Sequence, residues 1–355
     1  MPLPEVAEPL KTQRSDQTQG LAAKVAFLRQ PGGYPDATSH VVAIETHMSW
    51  LFLTDRHAYK LKKPFRRNGI DYSTPAMRRL NCRRELRLNR RLAEGVYLDV
   101  LALSVDARGR FSLDADGRPI DWLVRMRRLP ADLTLEHGLR AGVADAADAQ
   151  RVVARLVPFF DAAPSPRWTP TTYRRRLVRA IADSAVQLRR PEFGLERREI
   201  DSLAAMLCGF VSDDAGLLDG RASRVVEGHG DLRPEHIYLG TPLMVIDCIE
   251  FQRALRLHDP VDELAFLAME CDRCGHPEFD AWLFAAYAAS SRDRPSRPLI
   301  EFYKAYNAFK RARIAIWHID DPDTGAPAQW IASANDYLSR ARHYLARVGE
   351  SSQAT

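Results

Sequence analysis

At 355 residues the chain is too long for one compact core, and its composition, 46% hydrophobic and 27% charged, is that of an ordinary globular protein. The formal net charge of +5, from 51 Lys and Arg against 46 Asp and Glu, suits an anionic ligand such as a nucleotide but is too mild to point to nucleic acid. No apolar run approaches the ~20 residues needed to cross a bilayer, the N-terminus has no apolar signal-peptide core, and an odd count of scattered cysteines gives no disulfide framework, so a cytoplasmic protein with no membrane partner is expected.

In chain order, residues 1–17 read as a disordered tail. A short amphipathic helix follows in "GLAAKVAFLRQ", stopped by "PGGYPD". "HVVAIETHMSWLFLTDRHAYKLKKP" is rich in β-branched and aromatic residues and reads as strands, with a turn at "TDRH". "STPAMRRLNCRRELRLNRRLAEG" predicts a helix capped by Ser73 or Thr74, with Pro75 in its first turn and Gly95 at its end. Strands return in "DVLALSV", "RFSLD" and "DWLVRMRRL". From about residue 140 the spacing is helical, interrupted by a loop at 227–239 and a predicted strand in "LMVIDCIEF". The expected organisation is a strand-rich lobe over 18–128, a helical lobe over 129–349, and a tail over 350–355.

Lys60 and Lys62 share one face of a strand, and Lys63 points the other way. Lysines here fit a solvated edge strand as well as a phosphate clamp. On the helix from Pro75, Met77, Asn81, Glu85, Leu88 and Leu92 form one stripe, which puts a carboxylate on a largely apolar face. Such a group needs a partner. A strand lysine is one candidate; a neighbouring arginine, Arg84 or Arg87, is the other.

The stretch "EGHGDLRPEHIYL" places His229, Gly230, Asp231, Arg233, Glu235 and His236 in one loop, with a further acid, Asp247, in the run that follows. The order His-Gly-Asp-x-x-Pro, then "VIDCIEF" and "LHDPVDELAFL", resembles the catalytic loop, metal-binding segment and following helix of the aminoglycoside phosphotransferase branch of the protein-kinase-like superfamily. "THMSWLFLT" and "YKLKKP" are similar to segments that mark one bacterial branch of that family. The resemblance runs from residue 41 to about 270. Some members of the branch carry a P-loop ATPase domain after the kinase-like part, and no G-x-x-x-x-G-K-[ST] occurs in these residues.

The resemblance implies an α+β, bilobal protein-kinase-like fold and an ATP-dependent phosphotransferase acting on a hydroxyl of a small molecule. ATP would sit near Met126 to Pro130. Asp231 would act on the acceptor hydroxyl, with His229 fixing the loop and Arg233 either stabilising the transferred phosphate or forming a salt bridge with Glu235. Lys60, or Lys62, would clamp phosphates, held by Glu85. Asp247 and His236 would hold Mg²⁺ or Mn²⁺. Alternatives are a nucleotide-binding pseudokinase acting as a scaffold and a nucleotidyl transferase. No protein partner is indicated.

Two departures from the family pattern stand out. His236 occupies the position of a metal-binding Asn, and imidazole is a softer ligand than Mg²⁺ prefers. No glycine-rich loop covers the phosphates, which leaves Thr46, His47 and Ser49 in "ETHMSW" as candidate donors. Asp262 is expected to cap and anchor its helix. Cys271, Cys274 and His276 give at most three zinc ligands and read as core filler.

Overall fold

The computed structural model describes residues 20–67, 69–319 and 327–353, so the expected N-terminal tail lies outside them. Among these residues, those up to Pro130 together with Glu250–Gln252 form one compact unit, and Ala131–Ile249 with those from Arg253 onward form a second.

Unit 1 is built on a six-stranded antiparallel sheet. Its strands are β1 (Val42–Glu45), β2 (Ser49–Leu53), β3 (His57–Lys62), β6 (Tyr97–Val105), β7 (Phe111–Leu113) and β8 (Arg118–Arg127), in the order β1-β2-β3-β8-β6-β7. A small hairpin, β4 (Arg66–Arg67) and β5 (Ile70–Asp71), stands apart from it. Strand alternation sorts β3 by chemistry. Tyr59 and Leu61 enter an apolar core with Phe52, Leu101 and Leu123, covered by Val25 and Leu28 of α1 (20–28). Each such side chain contributes about 1.5–3 kcal/mol of burial. Lys60 and Lys62 point to the other face, where α2 (Pro75–Asn89) lies.

Thr74 caps α2 by accepting the Met77 N–H, and Pro75 fills the first turn, where its missing N–H costs nothing. The helix stops at Asn89 rather than at Gly95; Gly95, with φ +74°, instead turns the chain into β6. The buried face of α2 carries Asn81, Glu85 and Leu88, as the spacing predicts, and also Arg78, Cys82 and Asn89, whereas Met77 of the expected stripe is half-buried. Arg78 and Lys24 meet on buried Asp121 of β8, at 2.7 Å each.

Unit 2 contains α3 (Leu135–Arg140), α4 (Ala146–Ala162), α5 (Pro170–Leu188), α6 (Arg197–Asp213), α7 (Ala215–Asp219), α8 (Pro260–Arg273), α9 (Glu278–Ser290), α10 (Arg297–Trp317) and α11 (Pro327–Gln353). The last helix runs past the end expected near 349. Two-residue strands β9 (Val226–Glu227) and β12 (Leu257–His258) pair with each other, as do β10 (Ile237–Tyr238) and β11 (Met244–Val245). Only Met244–Val245 of "LMVIDCIEF" is strand; Asp247 adopts a left-handed φ of +62° that no extended strand accommodates. Buried Arg221 clamps Asp259 and Asp293 at 2.6–2.7 Å, and Tyr173 on α5 meets Tyr303 on α10 at 2.7 Å. Asp259, not Asp262, caps α8, by accepting the Val261 N–H. No helix among the described residues is long and apolar enough to cross a membrane.

Candidate active site

In unit 1 a buried charge cluster forms where β3 faces α2. Glu85, fully buried, takes Lys60 Nζ on Oε1 at 3.0 Å and Lys62 Nζ on Oε2 at 2.5 Å. The alternative pairing with Arg84 or Arg87 is not found. Lys62, 1% exposed, also contacts Glu250, whose carboxylate accepts the Tyr72 hydroxyl as well. Burial alone would lower the Lys62 pKa; Glu250 and Glu85 outweigh it and hold it well above the ordinary lysine value. Lys60 is 19% exposed. Met126 on β8 is paired with Ala58 and is buried. The turn in "ETHMSW" is closed on itself: Ser49 N–H donates to Thr46 Oγ1, which donates to Ser49 O. Ser49 is buried. Thr46 and Ser49 are therefore not the outward donors expected of them, and the His47 ring lies 6.5 Å from that of Phe65.

In unit 2 the loop after β9 is fixed through its backbone. Glu263 on α8 accepts the N–H of His229 at 2.8 Å and that of Gly230 at 2.5 Å. Two glycines permit this. A Cβ at Gly228 would overlap the Glu263 carboxylate; one at Gly230, where φ is +88°, would lie 2.6 Å from Leu255 O. Asp231 N–H donates to His229 Nδ1 at 3.3 Å, so the ring proton is on Nε2, which donates to Ile246 O at 2.9 Å. Burial, helped by nearby His236, pushes the His229 pKa down to about 4. This neutral ring ties Asp231 to the segment carrying Asp247.

A consequence in pH follows. Unfolded His229 takes a proton below ~6.5 and the folded ring does not until about 4, so stability from this group is full above ~6.5 and is lost as pH falls towards 4. The unfolding free-energy gap between wild type and His229→Gln, measured in urea, should shrink by about 2 kcal/mol from pH 7 to pH 5. An unchanged gap would mean the folded ring accepts the proton.

His236 Nδ1 donates to the Asp231 carbonyl at 2.9 Å, and its Nε2 stands 3.8 Å from Asp247 Oδ2. Asp247 is 41% exposed. Asp231, 26% exposed, has Arg311 Nη1 of α10 at 3.8 Å from Oδ1. Arg233 is engaged by Glu235 at 2.5 Å. Arg311 also approaches buried Glu270 at 3.5 Å. Burial alone would raise the Glu270 pKa, but Arg311, Arg233 and Arg273 hold it below the usual carboxylate range. Among the described residues no three His, Cys, Asp or Glu side chains are placed to hold a metal by themselves; buried Cys271 and the pair His276–Glu278 fit packing and a surface contact.

No family model matches the sequence. Solved structures with similar folds are a choline/ethanolamine kinase family protein from Mesorhizobium loti, at TM-score 0.53, 17% identity, and coverage of 94% of this chain and 99% of that one. An ethanolamine kinase from Plasmodium vivax has TM-score 0.53 and 11% identity, covering 96% and 95%. A choline kinase from Cryptosporidium parvum has TM-score 0.51 and 9% identity, covering 95% and 96%.

The chain has the protein-kinase-like fold.

In this kinase-like fold the strand-rich unit 1 and the helical unit 2 match the expected α+β class. Uncharacterized proteins of Mycobacterium tuberculosis and Mycobacterium bovis are 31% identical over 317 residues, which is 86% of this chain. The chain spans about 61% of the length of those relatives. Three residues with evident bearing on the site escaped the sequence reading: Glu250, Glu263 and Arg311. Glu263 alone left a trace, as an acid beside Asp262 at the start of a predicted helix.

Proposed function

We propose that the chain is a phosphotransferase that moves the γ-phosphoryl group of ATP to a hydroxyl of a small molecule. The observation that carries this reading is the setting of Asp231, an accessible carboxylate on a loop whose backbone is clamped by Glu263 and braced by neutral His229. Asp231 accepts the hydroxyl proton as the acceptor oxygen bonds to phosphorus and the bond to the β-phosphate oxygen breaks, releasing ADP. Because the clamp acts on main-chain N–H groups, the carboxylate is held in place without being consumed by the holding.

Lys60 is the lysine that meets phosphate oxygens. It keeps partial exposure, and Glu85 sets its direction. Lys62, locked between Glu85 and Glu250, holds Glu85 in position instead. Arg233, engaged by Glu235, supports the loop.

Asp247 and His236 are the residues that would hold a divalent cation. An exposed carboxylate and an imidazole nitrogen 3.8 Å apart make two donors, which suits an ion that takes its other ligands from phosphate and water, and the imidazole favours Mn²⁺ over Mg²⁺. Such an ion, when bound there, would neutralise charge on the phosphate oxygens. The left-handed backbone at Asp247 is strain of the kind that persists at functional positions. The kinases with similar folds support a small-molecule alcohol as acceptor.

The test is incubation with ATP, Mg²⁺ or Mn²⁺ and a metabolite extract, followed by mass analysis. A phosphorylated product with ADP is expected; a nucleotidylated product, or no turnover, overturns the reading. Asp247→Asn should weaken ATP binding in the presence of Mn²⁺ by about 10- to 100-fold, the loss of one charged contact. Without metal it should change ATP binding little, as calorimetry would show.

A further inference from the structure

Beside the loop, unit 2 presents three cations, Lys310, Arg313 and Arg176, none of which makes an ion pair with a carboxylate among the described residues. On α10, Lys310 Nζ lies 4.7 Å from the centre of the Tyr306 ring, with Asn307 Oδ1 at 3.2 Å. One turn on, the Arg313 guanidinium covers Trp317 at 4.6 Å, and its buried Nε has no hydrogen-bond partner. On α5, exposed Arg176 lies over Trp168 at 4.4 Å and donates to Ala254 O at 3.0 Å. Nearby carboxylates are committed elsewhere. Asp262 binds His258 and Asn307 at 2.7 Å each, Glu263 holds the loop, and Asp183 faces Arg179 at 3.8 Å.

Two of the cations are tied to the surroundings of the loop that carries the candidate base. Ala254, which Arg176 binds, precedes Leu255, whose carbonyl abuts Gly230. Asn307 links Lys310 to Asp262, next to Glu263. Arg311, adjacent to Lys310 in sequence, reaches Asp231. Lys310 and Arg313 repel each other, and Asp262, Glu263 and Asp183 nearby make no ion pair with them, an arrangement that an anionic ligand would relieve. Burial pushes the Lys310 ammonium and the Arg313 guanidinium below their ordinary values, outweighing the opposite pull of Asp262 and Glu263 on the first and of Asp183 on the second.

We propose that this surface binds the acceptor: a hydroxyl compound carrying an oxyanion, phosphate or carboxylate, held by Lys310, Arg313 and Arg176 with its hydroxyl towards Asp231. The proposal rests on the phosphotransferase reading. It separates this chain from kinases named for choline or ethanolamine, since a cationic acceptor here would meet like charge.

Two measurements test it. The first is calorimetric titration of inorganic phosphate into wild type, Lys310→Met, Arg313→Met and Arg176→Met without nucleotide. Methionine keeps an apolar stem against each ring, and Arg176 is exposed, so at least that variant is expected to fold. Phosphate affinity should drop about fivefold or more in each, in line with one lost charge-assisted contact. Equal affinity across all four proteins, or no binding to wild type, overturns the anion site. The second takes a metabolite extract separated on an anion-exchange column, with ATP-dependent phosphate incorporation measured in each fraction. Incorporation in the retained fraction supports the proposal, and its loss after phosphatase treatment identifies the anchor as phosphate rather than carboxylate. Incorporation confined to the flow-through overturns the anionic acceptor while sparing the phosphotransferase reading. Incorporation in neither fraction counts against the phosphotransferase reading, and the phosphate titration then decides the anion site by itself.

Discussion

Asp231→Asn is expected to lower phosphoryl transfer by about 10²–10⁴-fold, the range for losing a positioned general base. The structure predicts where the damage stops. The loop is held by main-chain contacts, His229 and Gly230 N–H to Glu263 and Asp231 N–H to His229, and none involves the side chain being changed. The amide of asparagine still offers an oxygen to Arg311. Folding and ATP affinity should therefore stay near wild type while kcat falls. Single-turnover assays beside nucleotide binding separate the two effects. A variant that keeps transfer within a few-fold of wild type would place the base elsewhere. One that loses ATP binding in parallel would mean that Asp231 acts on the nucleotide and not on the acceptor.

Glu85→Ala carries the largest expected cost in stability. Removing this carboxylate leaves Lys62, 1% exposed, with Glu250 as its remaining carboxylate partner among the described residues, and takes the Oε1 contact from Lys60. Breaking a buried pair costs about 3–5 kcal/mol. Two double-mutant cycles distinguish the lysines. Glu85 with Lys62→Met should show strong coupling in unfolding free energy, because both groups are buried. Glu85 with Lys60→Met should couple in nucleotide affinity. Additive behaviour in both cycles would refute the shared-carboxylate geometry. The reverse assignment, Lys62 coupling in nucleotide affinity, would exchange the roles of the two lysines.

How much was legible in the sequence follows from the range of the contacts. The meeting of Lys60 with Glu85 could be anticipated because two local periodicities, of two on β3 and of 3.6 on α2, each point a charged group inward. The composition shift from strand-rich to helical is equally local. Glu250 was hidden because its partners, Lys62 and Tyr72, lie 188 and 178 residues away. Arg311 sits in "FKRARIAIW", a run that carries no motif, and only packing brings it to Asp231. At "MVIDCIEF" the apolar run predicted a strand, but the turn at Asp247 overrode β propensity, since a strand would have carried its carboxylate to a different face. The position of Asp262 misled in a smaller way. An acid near a helix start suggests a cap, yet Asp259, just before Pro260, has the extended backbone that capping requires.

Lys60 and Lys62 set against Glu85 and Glu250 leave the cluster of unit 1 formally balanced, two charges to two, whereas Arg176, Lys310 and Arg313 have no such balance. Mobile ions screen the two differently. Added salt has little net field to weaken around a compensated, buried quartet, but it competes directly for half-buried and exposed cations at a surface. Raising ionic strength should therefore loosen the proposed hold of Arg176, Lys310 and Arg313 on an anionic acceptor, while it disturbs the buried contact of Lys62 with Glu85 less.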